Sequence, residues 1–550
     1  MRVNWFNFWR KMCMRKLILP LFTVFPVYLF AATWQVGPSK THTKPSQVAP
    51  LVNHGDTVYI DAADYTGDVC AWTKNNLVLI GVNGRPHLRA NGANAMGKGI
   101  WIFSGNNITA KNIEFSEASV PDKNGAGIRL EGLGIHIENC YFHHNENGIL
   151  TGNNGGKIVI RNSEFGYNGD GEGYAHNIYI GRVDTALIEY NYFHHAMVGH
   201  EFKSRARVNY LLYNRFSDES TGTASRNIDM PNGGLAYLIG NIIEQGPNSA
   251  NSNMVGYGLE GLSNTAPHAF FAINNTLVNN KSTGSFFHIQ NGTGTIKVYN
   301  NIFSGPGTVI NFGGGTAAID SSNNLVQTNI SLVGFANPSG YDYQITKNAA
   351  VINKGIVPGS GLNGFSLLPA SEYVHPAGER SRLMRGNVDI GAYEAGNEDP
   401  LSVNYGTIEA NIKNGILNVT WITTQEADNK YFDIELSHDS IHFKSIGQVS
   451  SSGNNGNSTT PLKYHFSIAM QSVSFSLIVG ILFIGCQCLK RRDQLLYASV
   501  VLILLAVFNA CAKQPDSTAE QQQTIYIRIV QTDTNNEKTY SKIIRANIED

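Results

Sequence analysis

One pattern constrains this chain more than any other: the segment apolar-x-Asn/Tyr-x-x-Phe returns nine times through its middle. It ends at Phe115, Phe142, Phe165, Phe193 and Phe216, and continues with Ile243, Leu277, Phe303 and Val326 in the last place. The intervals are 27, 23, 28, 23, 27, 34, 26 and 23 residues, and an earlier copy is expected to end at Leu88, 27 residues before Phe115. No helical period runs through these units. Each holds two or three short alternating strands broken by Gly and Asn. A unit this small cannot bury its own apolar face, whereas stacked copies can. The spacing predicts an all-β fold, a right-handed parallel β-helix of about ten coils, rising ~45 Å at roughly 4.8 Å per coil. The recurrent Asn fits a turn position where its side chain caps backbone groups of the neighbouring coil and where positive φ is tolerated.

Composition agrees with short strands and many turns. Charged residues make up 15% of the chain, well under the roughly 25% of ordinary soluble domains. Gly numbers 56, which suits tight turns and disfavours long helices. Against 42 Asp and Glu stand 41 Lys and Arg, a net charge of −1. That balance excludes a strongly basic nucleic-acid binder and a polyacidic disordered chain.

The opening GDTVYIDAADYTGDV (55–69) and the closing DIGAYE (389–394) resemble the first and last coils of the pectate-lyase-like parallel β-helix superfamily, over residues 34–396. The resemblance implies the fold. It leaves the reaction open, because the fold hosts lyases, hydrolases, epimerases and plain binders.

Three successive coils carry polar residues where their neighbours are bland: HNIYIG (176–181), HEFKSR (200–205) and RNIDMP (226–231). If Ile178, Phe202 and Ile228 face the core, period 2 turns their neighbours outward. Asn177, Glu201 and Asn227 then form one outward stack, and Tyr179, Lys203 and Asp229 the next. Arg205 follows on the same face, and Arg129 joins from an earlier coil. His176, His200 and Arg226 align where loop meets strand. Loops 143–147, 166–174, 194–199 and 217–225 would wall a groove over this face, and the long coil 245–261 would extend the wall, with Glu244 and Glu260 as the less favoured catalytic source. A solvated charged stripe is the bland alternative. In a chain so poor in charge, a local concentration of ions points instead to a ligand.

Eliminative cleavage of a uronate polymer needs a clamp for the carboxylate, a base for the adjacent proton and an acid for the leaving oxygen. Arg supplies a bidentate clamp. Lys203 is a candidate base, with Arg205 and Arg226 as neighbouring like charges. Tyr179 or His200 is a candidate acid. The set Lys203, Ser204, Asn209, Asn214 and Arg226 resembles that of Lys/Arg-dependent β-helix lyases of alginate- and chondroitin-like polymers. The catalytic candidates are thus Lys203, Arg226, Arg205, His200 and Tyr179. Arg129, Glu201, Asp229, His176, Asn177, Asn227 and Tyr257 are the substrate-binding candidates. A hydrolase would instead use two carboxylates, Glu201 and Asp229, and a non-catalytic glycan binder would use Tyr179 and Tyr257 as stacking platforms. Asp170, Glu172, Asp218 and Glu219 are candidate Ca²⁺ ligands at the groove rim. His143-His144 and His194-His195 follow the repeat Phe at one place in their coils; a turn position that tolerates His accounts for them, and metal ligation is the alternative, without a supporting spacing.

The two ends point to export. Arg2, Arg10, Lys11, Arg15 and Lys16 lead into an apolar run at 17–32, the pattern of a secretory signal over residues 1–32, with a retained anchor as the alternative. Of six Cys, only Cys70 and Cys140 lie in the main body, which suits two buried free thiols rather than a disulfide framework. Near the C-terminus, 468–489 and 495–512 are each apolar enough to cross a bilayer. Lys490-Arg491-Arg492 between them would face the cytoplasm. A lipoprotein signal ending at Ala510-Cys511 is a rival reading. Alternating strands at 402–466 and 524–548, with a hairpin dipeptide at Asn414-Gly415 and the Trp421 strand, resemble a fibronectin-III-like sandwich that the membrane hairpin interrupts. The expected whole is a monomer with a polysaccharide substrate, held at the inner membrane with its β-helix on the periplasmic or extracellular side.

Overall fold

The computed structural model describes residues 31–382, 386–395, 403–413, 415–438, 443–469, 525–534, 536, 538–541 and 543–549. The chain divides into two compact units between Asn397 and Glu398.

The first unit is a parallel β-solenoid of right-handed type with about 11 turns. Each coil contributes a strand in turn to three sheets. Wall 1 has 12 strands, from Thr33–Val36 to Asp320–Ser322; wall 2 has 11, from Asp64–Thr66 to Leu325–Gln327; wall 3 has 10, from Cys70–Trp72 to Thr308–Gly313. Each wall buries alternate residues, so the three inward faces fill one continuous core.

The repeat residues form one column on the inner face of wall 2. Tyr65, Leu88, Phe115, Phe142, Phe165, Phe193, Phe216, Ile243, Leu277, Phe303 and Val326 pair in register from coil to coil. From Phe115 to Phe216 the rings are fully buried and lie face to face, at centroid separations of 5.0, 4.8, 4.9 and 5.0 Å. The column starts one coil before Leu88, which accounts for the turn beyond the ten expected.

The recurrent Asn proves to be two positions with two tasks. The residue three before each repeat Phe takes positive φ at the corner between walls 1 and 2, as at Asn112 (56°), Asn162 (49°) and Asn300 (58°). The next residue builds a ladder. The Asn214 Oδ1 accepts the Asn191 N–H at 3.0 Å, and its Nδ2 donates to the Ile188 carbonyl at 2.8 Å. Asn241, Asn275, Asn301 and Asn324 repeat this for the coils that follow. A two-residue corner exposes backbone groups that no strand pairs, and the ladder satisfies them inside the core.

Past Gln327 the chain makes no further coil. Residues 355–377 run back along the wall 1–wall 2 corner, and residues 386–395 lie against it again at Asn274. There Asn274 Nδ2 donates to the Asp389 carbonyl and the Tyr213 hydroxyl accepts the Ala370 N–H. DIGAYE is part of this strap, fastened by the buried Arg382–Glu394 ion pair at 2.8 Å. Cys70 and Cys140 are buried and free.

The second unit has two antiparallel sheets around Trp421, Phe432, Ile434, Ile527 and Ile529. Val403–Lys413 pairs with Ile416–Glu426, and Tyr526–Asp533 lies beside Asn429–Ser437. Strands on either side of residues 470–524 therefore belong to one sheet. The segment expected as one last strand, 538–548, is broken into Lys538–Tyr540, Ile544–Arg545 and Asn547–Glu549, because Ser541 Oγ takes a ladder hydrogen bond from Ile529 N–H and the chain then crosses to the other sheet. The first expected membrane span started at Ile468, but Leu462–Ala469 is a strand. The remainder of both spans and residues 1–30 of the expected signal lie outside the described residues. Among the described residues no helix is long and apolar enough to cross a membrane.

Phe165→Ala should lower the free energy of unfolding by about 3–5 kcal/mol, and Asn241→Ala, which strips the partner from a buried N–H, by about 1–3 kcal/mol. Denaturant melts of the two variants measure both; a near-zero cost for Phe165→Ala would contradict the stacked column.

Candidate functional site

The outward row of wall 3 runs Arg129, Leu150, Tyr179, Lys203, Asp229, Gly256, His288 and Asn311 across hydrogen-bonded strands. Ile178, Phe202 and Ile228 beside it are fully buried. Tyr179, Lys203 and Asp229 thus stand on successive coils, where only their backbones are fixed by the sheet and their side chains share one surface.

An ion-pair network joins them. Asp229 is almost buried, with Arg226 Nη1 at 3.2 Å from Oδ1 and with Lys203 Nζ at 3.8 Å and His200 Nε2 at 3.5 Å from Oδ2. Burial raises the Asp229 pKa above the ordinary carboxylate value, and the Arg226 and Lys203 charges limit the rise. Lys203 also meets Glu260 at 3.6 Å, and Arg205 pairs with Glu260 at 2.7 Å. Burial works against the Glu260 charge, but the Arg205 hydrogen bond and the Lys203 field outweigh it and lower its pKa. Arg205 Nε donates to the Tyr179 phenol oxygen at 2.7 Å, and its Nη1 to Asn232 at 2.6 Å. The Lys203 and Arg205 cations stand 5.7 and 5.8 Å from the Tyr179 ring centroid. Lys203 thus stands between two carboxylates, Asp229 and Glu260.

Below Tyr179 the row opens into a cleft of about 380 Å³ lined by Lys98, Asn124, Arg129, Leu150, Thr151 and Asn153 among others. Lys98 and Arg129 converge there on Glu131, at 2.7 and 3.5 Å. The two ion-pair sets hold five cations (Lys98, Arg129, Lys203, Arg205, Arg226) and three carboxylates (Glu131, Asp229, Glu260), and with Asp122, which also lines the cleft, five cations face four carboxylates, so the face is locally positive in a chain of net charge −1.

His176, His200 and Arg226 do form a column at the strand starts. His176 Nδ1 accepts the His200 N–H at 3.0 Å, and His200 Nδ1 accepts the Arg226 N–H at 3.2 Å. The rings stack at 5.0 Å. Burial drives both pKa values down, that of His176 to about 3, helped by the Lys203 charge in both cases. Both rings are neutral at physiological pH. With Nδ1 occupied as acceptor, the His200 proton sits on Nε2, facing Asp229.

Four candidates are not on this face. Asn177, Glu201 and Asn227 are fully buried inside the solenoid. Period 2 holds within a strand, but these residues precede the strand at the corner, where the chain turns and the side chain swings inward. At this wall 2–wall 3 corner they play the part that the Asn ladder plays at the other: Asn177 Oδ1 accepts the Asn168 N–H at 3.2 Å, Glu201 Oε1 accepts the Ala196 N–H at 3.1 Å, and Asn227 Nδ2 donates to the Glu244 carbonyl at 2.8 Å. Glu201 and Asp229 therefore cannot flank one sugar. Tyr257 is also buried, because it pairs with inward-facing Met230, and its hydroxyl donates to the Gly234 carbonyl at 2.6 Å; it is no stacking platform. His176 lies buried behind Tyr179, 5.6 Å from its ring.

The four rim carboxylates do not converge either. Asp170 and Glu172 pair with Lys123, Asp218 is buried against Ser249, and Glu219 faces Tyr192 and Arg215 on wall 2. Glu260, by contrast, is central. The loop after Tyr257 folds back, with Glu260 N–H on the Pro231 carbonyl at 2.9 Å, and so reaches Arg205 two coils away. The 34-residue interval was its only sequence signal. Gly256 leaves room for this arrangement, since a Cβ there would lie 2.8 Å from Asp229 Oδ1. No protein-family model and no curated protein matches the chain.

Inside the corner, Glu201 and Asp218 are hydrogen-bonded to each other, and burial raises both pKa values. Stability from raised carboxyl groups is full below their unfolded pKa and lost as pH rises through the folded value. Glu201→Gln, which stays neutral, should flatten that loss: its melting temperature should fall less than the wild type's between pH 5 and pH 9. Thermal melts at the two pH values measure this, and parallel slopes would contradict a protonated pair.

Proposed function

We propose that the wall 3 groove binds an acidic, uronate-containing polysaccharide along the solenoid axis and cleaves it by β-elimination. The observation that carries this reading is the continuous cleft from Lys98 and Arg129 to Tyr179, whose phenol oxygen is held by Arg205. Arg129 and Lys98 clamp the uronate carboxylate and withdraw charge from the adjacent carbon. Tyr179, acting as the phenolate, takes the proton from that carbon while the bond to the leaving oxygen breaks and the ring double bond forms; the phenol so formed gives that proton to the leaving oxygen and returns to its starting state. The Arg205 N–H on the phenol oxygen favours charge there during transfer. Lys203, Arg226, His200 and Asp229 form the next subsite along the chain of sugars.

A hydrolase is the second reading, with Asp229 and Glu260 in place of the original pair. Their environments push their pKa values in opposite directions, as an acid–base pair requires.

The C-terminal unit is proposed as a fibronectin-III-like sandwich. Its two parts, 403–469 and 525–549, enclose the apolar stretches ending at 489 and 512, proposed as an inner-membrane hairpin that holds an exported protein on the outer side. Sheet pairing between Asn429–Ser437 and Tyr526–Asp533 supports this, since both parts must lie on one side of a bilayer.

Incubation with a uronate polymer panel should generate the ultraviolet absorbance of an unsaturated uronate. Tyr179→Phe should lower kcat by about 10²–10⁴-fold, and Arg129→Ala should chiefly raise KM. New reducing ends without absorbance, lost in Asp229→Asn, would establish the hydrolase instead. For the hairpin, Asn455→Cys and Asn535→Cys in a background without native cysteines should react with an impermeant label in spheroplasts, and Asp493→Cys should not. Labelling of Asn455→Cys alone would refute the inserted hairpin.

A further inference from the structure

The outer face of wall 2, away from the groove, brings together His87, Glu114 and His143 from three successive coils. His143 Nε2 is 2.9 Å from Glu114 Oε1, and His87 Nε2 is 3.7 Å from the same oxygen. One ligand atom from each residue lies within 4.8 Å of the other two. A tetrahedral ion with bonds of about 2.0–2.1 Å spaces its ligand atoms about 3.3–3.5 Å apart, and the two Glu114 edges, 2.9 and 3.7 Å, lie on either side of that spacing. The side chains are 13%, 25% and 16% exposed, mostly covered yet open on one side.

The other ring nitrogens are held as well. His87 Nδ1 lies 3.4 Å from Asp64 Oδ1, and His143 Nδ1 lies 2.8 Å from His144 Nδ1. Metal-ligating imidazoles usually donate their second N–H to such a partner, which fixes the ring and its tautomer. Ser116 Oγ stands 2.7 Å from His87 Nε2, on the side an ion would occupy.

We propose that His87, Glu114 and His143 bind a divalent transition-metal ion of the zinc class, with Asp64 and His144 as supporting groups. Two imidazoles and one carboxylate suit zinc, not Ca²⁺. The solenoid supplies its own control two coils on. Glu164 and His194 repeat the pair at 3.1 Å, and His195 repeats the supporting contact at 3.0 Å. There the residue in the place of His87 is Tyr141, and the third ligand is missing.

Zn²⁺ titrated by calorimetry into chelator-treated full-length protein should bind as one equivalent, and Co²⁺ should give the visible spectrum of a tetrahedral ion. His87→Gln, His143→Gln and Glu114→Gln should each weaken binding by about tenfold or more, whereas His194→Gln should leave it unchanged. Unaltered circular dichroism shows that a variant is folded, and the three substitutions stand in for one another if one misfolds. No binding by the wild type, or unchanged affinity in a folded His87→Gln or His143→Gln protein, overturns the site. Groove variants such as Arg129→Ala should not affect it, so it stands or falls apart from the polysaccharide reading.

Discussion

A parallel solenoid of short strands stands or falls on its corners. Within the walls every backbone group finds a partner in the next coil, but a two-residue corner buries donors and acceptors that no strand can reach. Here side-chain amides one coil on supply the partners, as Asn214 does for Asn191 and Asn241 for Asn214. Because each amide both accepts from one coil and donates to another carbonyl, it locks the register of the stack. The face-to-face Phe column then adds apolar burial at the same spacing.

That register makes the groove possible. Side chains far apart in sequence share a surface only if every coil has the same phase, and Tyr179, Lys203 and Asp229 meet because their strands pair residue for residue. The corner also sorts polar groups into two kinds. Those within a wall 3 strand face outward and carry charge, as Lys203 and Asp229 do. Those at the strand's start turn inward and serve the backbone, as Asn177 and Glu201 do. A carboxyl group in the second class has no cation to hold its charge, and burial raises the Glu201 pKa well above the ordinary carboxylate value.

The parts of this architecture visible in the sequence are those set by local periodicity. The Phe column, its extension to Leu88 and the outward row of wall 3 follow from coil spacing and period 2, because the solenoid repeats one local solution. The parts that were hidden depend on where that periodicity lapses. Glu201 and Asn227 sit one residue outside a strand, where no alternation rule applies. Tyr257 was misplaced for lack of the Met230 register that turns it inward. Glu260 arrives through a loop that folds back over two coils, and the strap at 355–377 returns along a corner; both are long-range contacts that no short pattern encodes.

The central claim is that a locally positive groove, not the solenoid surface at large, recognises the carboxylates of an acidic polymer. Equilibrium binding of one oligouronate and of its carboxyl-reduced, uncharged counterpart tests this most directly, measured at low and at high salt on the same protein. The account predicts that the acidic oligosaccharide binds, that salt weakens it, and that the uncharged one does not bind. Equal affinity for the two, unchanged by salt, would contradict it.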